Sequence, residues 1–224
     1  MLHPDRIRAA IFDMDGLMLD TEPIYRRAWT LAIADCGFTL EASQYGQLVG
    51  RSNDDCDRFM AEQFGSDYPV DRCRELRDRY WRLHIAEDGI PLKPGLYDLL
   101  DYLDRWQVPT AIATASLRSE AALSIANSGI GDRFRYSTAG DEVARNKPAP
   151  DIYIETARKL EVEPQQCLVF EDSNAGATAA IRAGAIAIVV PDLQLPEPAV
   201  IQGAYSVVDS LHTARQLLET AWGV

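Results

Sequence analysis

Ala9-Ala10-Ile11-Phe12-Asp13-Met14-Asp15-Gly16 is an apolar run that ends abruptly in two aspartates. Residues 9–12 are too few and too apolar for a surface loop and read as a buried strand. Asp13 then stands at the strand's carboxyl end, the edge at which open α/β sheets bind ligands. A carboxylate there can attack phosphorus, and a second one two residues on can move a proton at the same centre. Gly16 permits the sharp turn that follows. Taken alone, the pair suits an ordinary turn cap equally well.

The text downstream settles the fold class. From Ile24 to about Gly89 the pattern is helical: Ile24, Ala28, Leu31 and Ala32 recur at helical spacing, and Leu76, Tyr80 and Leu83 share one face of a long Arg-rich segment, 72–87. Lys93-Pro94-Gly95 breaks that pattern. Beyond it, helical stretches (96–106, 119–127, 151–160, 175–183, 211–220) alternate with short strands (109–113, 134–138, 167–170, 185–190), with Gly129 and Gly184 as helix stops. Such alternation predicts a doubly wound, mostly parallel, Rossmann-like α/β sheet with helices on both faces. The expected organisation is an α/β catalytic core of residues 1–19 and 93–224, interrupted by a helical cap domain, 20–92. An insert after the first strand is placed to act as a lid over a site at the carboxyl edge.

Composition bounds the partners. The chain has 224 residues, 47% of them hydrophobic, enough for a sizeable core. A net charge of -12 disfavours nucleic acid and anionic membranes, while leaving room for a small, locally positive phosphate pocket. No apolar leader and no run of transmembrane length is present, so a cytoplasmic location is expected, and a monomer is the simplest state. Cys36, Cys56, Cys73 and Cys167 show neither Cys-x-x-Cys nor zinc spacing and are expected to be reduced, half-buried thiols. Of 22 basic residues only Lys93, Lys147 and Lys159 are lysine, which makes each less ordinary as surface filler.

Four predicted strand ends carry or lead into polar groups: Asp13 and Asp15, then Thr114-Ala115-Ser116, then Lys147-Pro148-Ala149-Pro150-Asp151, then Glu171-Asp172-Ser173-Asn174. Parallel strands bring these ends to one edge. Asp13 and Asp172 offer hard oxygen ligands suited to Mg2+. Thr114 and Lys147 offer a hydroxyl and a cation to phosphate oxygens, and Ser116 near a helix start adds backbone N–H groups that favour an anion. Plainer readings stand beside these. Thr114 or Ser116 could cap a helix, Lys147 could be a solvated loop residue, and Glu171-Asp172 could cap the helix near Asn174.

With all four segments present in this order, the chain resembles the haloacid dehalogenase-like hydrolase superfamily over essentially its whole length. Asp13-Met14-Asp15-Gly16 resembles the first motif, Thr114 the second, Lys147 with Pro148, Pro150 and Asp151 the third, and Glu171-Asp172 the fourth. The stretches 13–22 and 171–176 are similar to the branch of sugar-phosphate and nucleotide phosphatases that includes β-phosphoglucomutase. The resemblance implies that Asp13 is a nucleophile forming an aspartyl-phosphate, and that Asp15 protonates the leaving group and then activates water. Thr114, Ala115, Ser116 and Lys147 would bind the phosphoryl group, and Lys147 would also offset the crowded negative charge. Mg2+ would be held by Asp13, the Asp15 carbonyl and Asp172, with Glu171 near or behind a water. Substrate recognition is expected from the cap loop, at Gly50, Arg51 and Asn53.

These residues imply a Mg2+-dependent phosphatase acting on a small phosphorylated metabolite, a sugar phosphate or a nucleoside monophosphate. A sugar phosphomutase is the rival, but its relatives carry a histidine early in the first cap helix where Tyr25 stands here, a departure that favours a hydrolase. That tyrosine either contacts substrate or packs core against lid. A phospho-receiver module is the reading from another class; it lacks both the insert and an acid two residues beyond the phosphorylated Asp. No Gly-x-x-x-x-Gly-Lys, Gly-x-Gly-x-x-Gly or Gly-x-Ser-x-Gly pattern is present.

Overall fold

The computed structural model describes residues 2–48 and 53–223. In chain order the elements are β1 (Ala9–Phe12), α1 (Glu22–Asp35), α2 (Ala42–Tyr45), α3 (Asn53–Phe64), α4 (Val70–Asp88), α5 (Leu96–Arg105), β2 (Thr110–Ala113), α6 (Arg118–Ser128), β3 (Tyr136–Thr138), α7 (Asp151–Lys159), β4 (Cys167–Glu171), α8 (Asn174–Ala183), β5 (Ile186–Val189), α9 (Pro198–Gly203), β6 (Ser206–Val207) and α10 (Leu211–Trp222). The chain divides into two compact units, Met1–Asp20 with Pro91–Val224, and Thr21–Ile90.

The first unit is an α/β layer structure. Its strands form one parallel sheet of order β3-β2-β1-β4-β5-β6. β1 lies between β2 and β4 and every residue of it is buried, which is why its sequence is continuous rather than alternating. Phe12 pairs with Ile112 on one side and Phe170 on the other, so the three strands run out at one level and Asp13 lies beside Ala113 and Glu171. The Phe12 ring stacks on Phe170 at 4.7 Å and meets Phe134 edge-on at 5.8 Å, fixing that level through a large apolar contact. α8 presents Ala177, Ala179, Ala180 and Ala183 to the core; small side chains let it pack closely under β4 and β5. α6 stops at Gly129 and α8 at Gly184, as their sequences predict. α9 and β6 are additions, because a two-residue strand carries no readable period.

The second unit is helical throughout its described residues. α1 packs on α4 around a core that includes Trp29, Ile33, Tyr45, Phe59 and Met60. Two expectations need correction here. The buried stripe of α4 is Cys73, Arg77, Trp81 and Ile85, while Leu83 is exposed; on α1 Trp29 and Ile33 are buried and Leu31 is not. The inward Arg77 explains the rotation. Its guanidinium lies 5.0 Å from the Trp29 ring centroid and pairs with Asp78 at 2.6 Å, so a charge is tolerated on the buried face. Tyr25 stacks on Trp81 at 5.7 Å, an aromatic contact within the cap. Among the described residues, no helix is long and apolar enough to cross a membrane.

The cysteine expectation is also corrected. Cys36 and Cys73 are joined by a disulfide across 37 residues, tying the end of α1 to α4. Local spacing could not show this, since the pairing follows from helix packing. Cys56 and Cys167 lie outside the disulfide and are buried rather than half-buried, and burial pushes the Cys167 thiol up to about 12. Denatured, unreduced protein should therefore titrate two thiols per chain, those of Cys56 and Cys167, and four after reduction. The folded protein should expose neither free thiol to a chromogenic disulfide reagent at about pH 8.

Candidate active site

Lys147 is the centre of the site. Its Nζ donates to Asp13 Oδ1, to Glu171 Oε1 at 2.7 Å and to the Ala113 carbonyl at 3.0 Å, so its three N–H groups reach the ends of β1, β4 and β2 together. It also lies 5.3 Å from the ring centroid of Tyr153, whose hydroxyl donates to Glu171 Oε1 at 2.8 Å. Glu171 has no exposed surface. Its Oε2 accepts from the backbone N–H groups of Asp172 and Ser173 and from the Ser173 hydroxyl, each at 3.0 Å. Five donors thus hold both carboxylate oxygens of Glu171 in place. Lys147 is no solvated loop residue: its side chain is 5% exposed.

The capping alternatives are also decided. α8 is capped by Ser173, whose oxygen accepts from the Gly176 N–H at 3.0 Å, so Glu171-Asp172 is not the cap. α6 begins at Arg118 behind Leu117, so neither Thr114 nor Ser116 caps it. The buried Thr114 accepts from the Ser116 N–H at 3.1 Å and gives its own proton to no protein acceptor among the described residues. Ser116 donates its hydroxyl to Asp15 Oδ2 at 2.9 Å. Ala115 is exposed at the tip between them. After β1 the chain turns back, with the Met18 and Leu19 N–H groups donating to the Met14 carbonyl and Gly16 at a φ of 85°. A Cβ on Gly16 would also lie 2.4 Å from Asp172 Oδ2.

Asp13, Glu171 and Asp172 each place a carboxylate oxygen within 4.8 Å of the others, a donor set of hard oxygens that one small divalent cation can gather. The charges ask for such an ion. Three carboxylates face one ammonium, leaving two negative charges uncompensated. Burial, opposed by Lys147, pushes the Asp13 carboxyl up to about 8. Burial, reinforced by the charges of Glu171 and Asp13, raises Asp172 well above the usual carboxylate range. Burial works against Glu171 too, but the charge and hydrogen bond of Lys147 outweigh it and its pKa is lowered. Burial disfavours the Lys147 ammonium, yet the two carboxylates hold its pKa well above normal. Both shifted-up acids are the two with an unfilled need for positive charge.

The structure therefore brings Asp13, Asp15, Thr114, Ser116, Lys147, Glu171 and Asp172 to one sheet edge. The cap-loop expectation is not among them: Gly50 and Arg51 lie outside the described residues, as does the side chain of Asn53. Tyr153 escaped the sequence reading, and Ser173 was named among the polar residues after β4 without a role. Tyr153 follows Lys147 by six residues, in the first turn of the next helix, and that nearness in sequence was the available signal.

A family model for haloacid dehalogenase-like hydrolases matches residues 7–184. A Drosophila melanogaster protein named "Probable pseudouridine-5'-phosphatase" is 33% identical over 198 residues, 86% of this chain and 85% of its own. The fructose-1-phosphate phosphatase YqaB of Escherichia coli is 31% identical over 186 residues, 82% of this chain and 96% of its own. Among solved structures, a variant of CbbY from Rhodobacter sphaeroides in complex with xylulose 1,5-bisphosphate superposes with a TM-score of 0.77 at 30% identity, over 92% of this chain and 95% of that one.

Gly176 tests how tightly the cluster is built. Alanine in place of a helical glycine ordinarily stabilises by about 1 kcal/mol. Here a Cβ would fall 1.5 Å from Glu171 Oε1, an oxygen that cannot move without breaking its bonds to Lys147 and Tyr153. G176A should therefore reverse the sign and destabilise by about 2–4 kcal/mol, read from urea denaturation midpoints.

Proposed function

The chain belongs to the haloacid dehalogenase-like hydrolases and is a phosphoric monoester hydrolase, and from that membership we propose that it dephosphorylates a small phosphorylated metabolite, a sugar phosphate or a nucleoside monophosphate, with Mg2+ as cofactor. The observation that carries this reading is the convergence of Asp13 and Asp172 beside the Lys147–Glu171 pair at the carboxyl edge of the sheet.

Asp13 is the nucleophile. One of its carboxylate oxygens forms a bond to phosphorus as the bond from phosphorus to the leaving oxygen breaks, and the proton carried by Asp15 passes to that oxygen, releasing an alcohol. Asp15, now a carboxylate, takes a proton from water. The water oxygen bonds to phosphorus, the phosphorus–Asp13 bond breaks, and inorganic phosphate leaves with Asp13 restored and Asp15 protonated again. Thr114 has a hydroxyl proton to give a phosphoryl oxygen. Lys147 now donates to Asp13, and a phosphoryl group arriving on that carboxylate can take over this bond, so the lysine follows the charge. Asp13, Asp172 and the Asp15 backbone carbonyl would hold Mg2+, while Glu171, filled by its five donors, acts as the counter-charge of Lys147. When bound, Mg2+ supplies the positive charge that lets an anionic carboxylate approach an anionic phosphate.

A hydrolase is favoured over a phosphomutase by Tyr25. Mutase relatives are expected to carry a histidine at this place, whereas the ring here is spent on stacking with Trp81. The relatives named as phosphatases of a fructose phosphate and of a pseudouridine phosphate support both substrate classes.

Purified protein with Mg2+ should release inorganic phosphate from a panel of fructose 1-phosphate, glycerol 3-phosphate, uridine 5'-monophosphate and p-nitrophenyl phosphate. Chelation should stop turnover and added Mg2+ restore it. D13N should keep the fold by circular dichroism and lose at least about a thousandfold in kcat. Wild-type rates in D13N would remove Asp13 as nucleophile, and interconversion of sugar phosphates without phosphate release would make the protein a mutase.

A further inference from the structure

We propose that Ser116 is a positioning residue that aims the Asp15 carboxylate, not a ligand of the phosphoryl group. This inference rests on the functional reading above, in which Asp15 moves the proton, and it replaces the expectation that Ser116 binds phosphate.

The hydrogen bonding of Ser116 carries the argument. A serine has one hydroxyl proton and one amide proton to give. The hydroxyl proton goes to Asp15 Oδ2 at 2.9 Å, across 101 residues of sequence, and the amide proton goes to Thr114 Oγ1 at 3.1 Å. Both donors that a phosphate oxygen would need are engaged within the protein. Thr114, by contrast, uses its oxygen as an acceptor for Ser116 and keeps its own proton for a ligand. The two hydroxyls of this turn therefore face different tasks.

The turn is built to hold that division. The Ser116 carbonyl accepts from the Gly140 N–H at 2.9 Å. The preceding Ala115 carbonyl accepts from Asn146 Nδ2 at 2.9 Å, one residue before Lys147. Thr114 is itself fixed by its N–H on the Thr138 carbonyl at 3.0 Å. Three consecutive residues are thus pinned to β3, to the loop after it and to the segment leading to the lysine. A side chain anchored so firmly transmits its position. The Ser116 bond to Oδ2 restrains the plane of the carboxylate, and with it the direction of Oδ1, before substrate arrives. Proton transfer is steeply sensitive to that direction, so a loosened acid loses rate without losing substrate affinity.

Leaving groups separate the two roles. p-Nitrophenolate departs with little need of a proton, whereas phenolate needs one. kcat/KM reports the chemistry up to leaving-group departure, before water attack. S116A should lower kcat/KM for phenyl phosphate at least about tenfold more than for p-nitrophenyl phosphate. The inhibition constant of inorganic phosphate should stay within about twofold, since no charge-assisted bond to phosphate has been removed, and S116T should restore most of the phenyl phosphate rate. S116C, which keeps the volume and weakens the donor, takes the place of S116A if the latter melts below the assay temperature. Equal losses on both esters together with an inhibition constant raised about tenfold would make Ser116 a phosphate ligand and overturn the proposal. No selective loss in S116A, or an S116T variant as impaired as S116A, would overturn it as well. A wild-type protein that hydrolyses neither ester would instead bring down the phosphatase reading itself, so the two failures are distinct.

Discussion

The buried ammonium of Lys147 is the interaction on which the rest of the site depends. There the ends of β1, β2 and β4 meet, through Asp13, the Ala113 carbonyl and Glu171. A charge this deep is stable only when its partners are in place. Removing one partner of a buried pair costs on the order of 3–5 kcal/mol, because the other is left uncompensated. Strand register, set by the Phe12–Phe170 stack and the apolar pairing behind it, therefore has a direct electrostatic consequence. A slip of one residue would carry Asp13 away from Lys147 and leave both exposed to that penalty.

Around that centre the roles divide by how each group is satisfied. Glu171 is filled by donors from Lys147, Tyr153, Ser173 and two backbone amides, and so it is rigid and its charge is spoken for. Asp13, buried, and Asp172, half-buried, lie beside it, and desolvation raises both carboxyls, helped at Asp172 by the charges of Glu171 and Asp13. The same burial that would make two ionised acids costly makes the place attractive to a divalent cation and to an electrophilic phosphorus. Asp15, two residues beyond Asp13, accepts from the Ser116 hydroxyl.

Much of this was legible in the linear text. Asp13 and Asp15 follow an apolar run too short to be anything but a buried strand, and Glu171-Asp172 follow another, so period and length located them without tertiary information. The rarity of lysine singled out Lys147. What could not be read was who holds whom. The resemblance implied Glu171 near the metal or behind a water, and its carboxylate does lie with those of Asp13 and Asp172; its five donors come from α7, α8's cap and the 147 loop, elements whose approach depends on helix packing. Tyr153 and Ser173 were ordinary residues until Glu171 lay between them. The inward face of α4 was misjudged for the same reason, since an arginine becomes a core residue only when an aromatic ring such as Trp29 is there to receive it, and the Cys36–Cys73 bridge needed α1 and α4 packed side by side.

The sequence by itself determined the order of elements, the parallel α/β core with its helical insert, and the strand ends at which acids, a hydroxyl and a lysine appear. Those follow from period, run length and turn chemistry, which are local properties. Tertiary structure alone decided that Lys147 pairs with Glu171, that Ser116 donates to Asp15, and that two of four cysteines are joined. Each of those is a choice of partner across scores of residues, and a donor's partner is fixed by which acceptor the packed strands and helices bring within hydrogen-bonding reach.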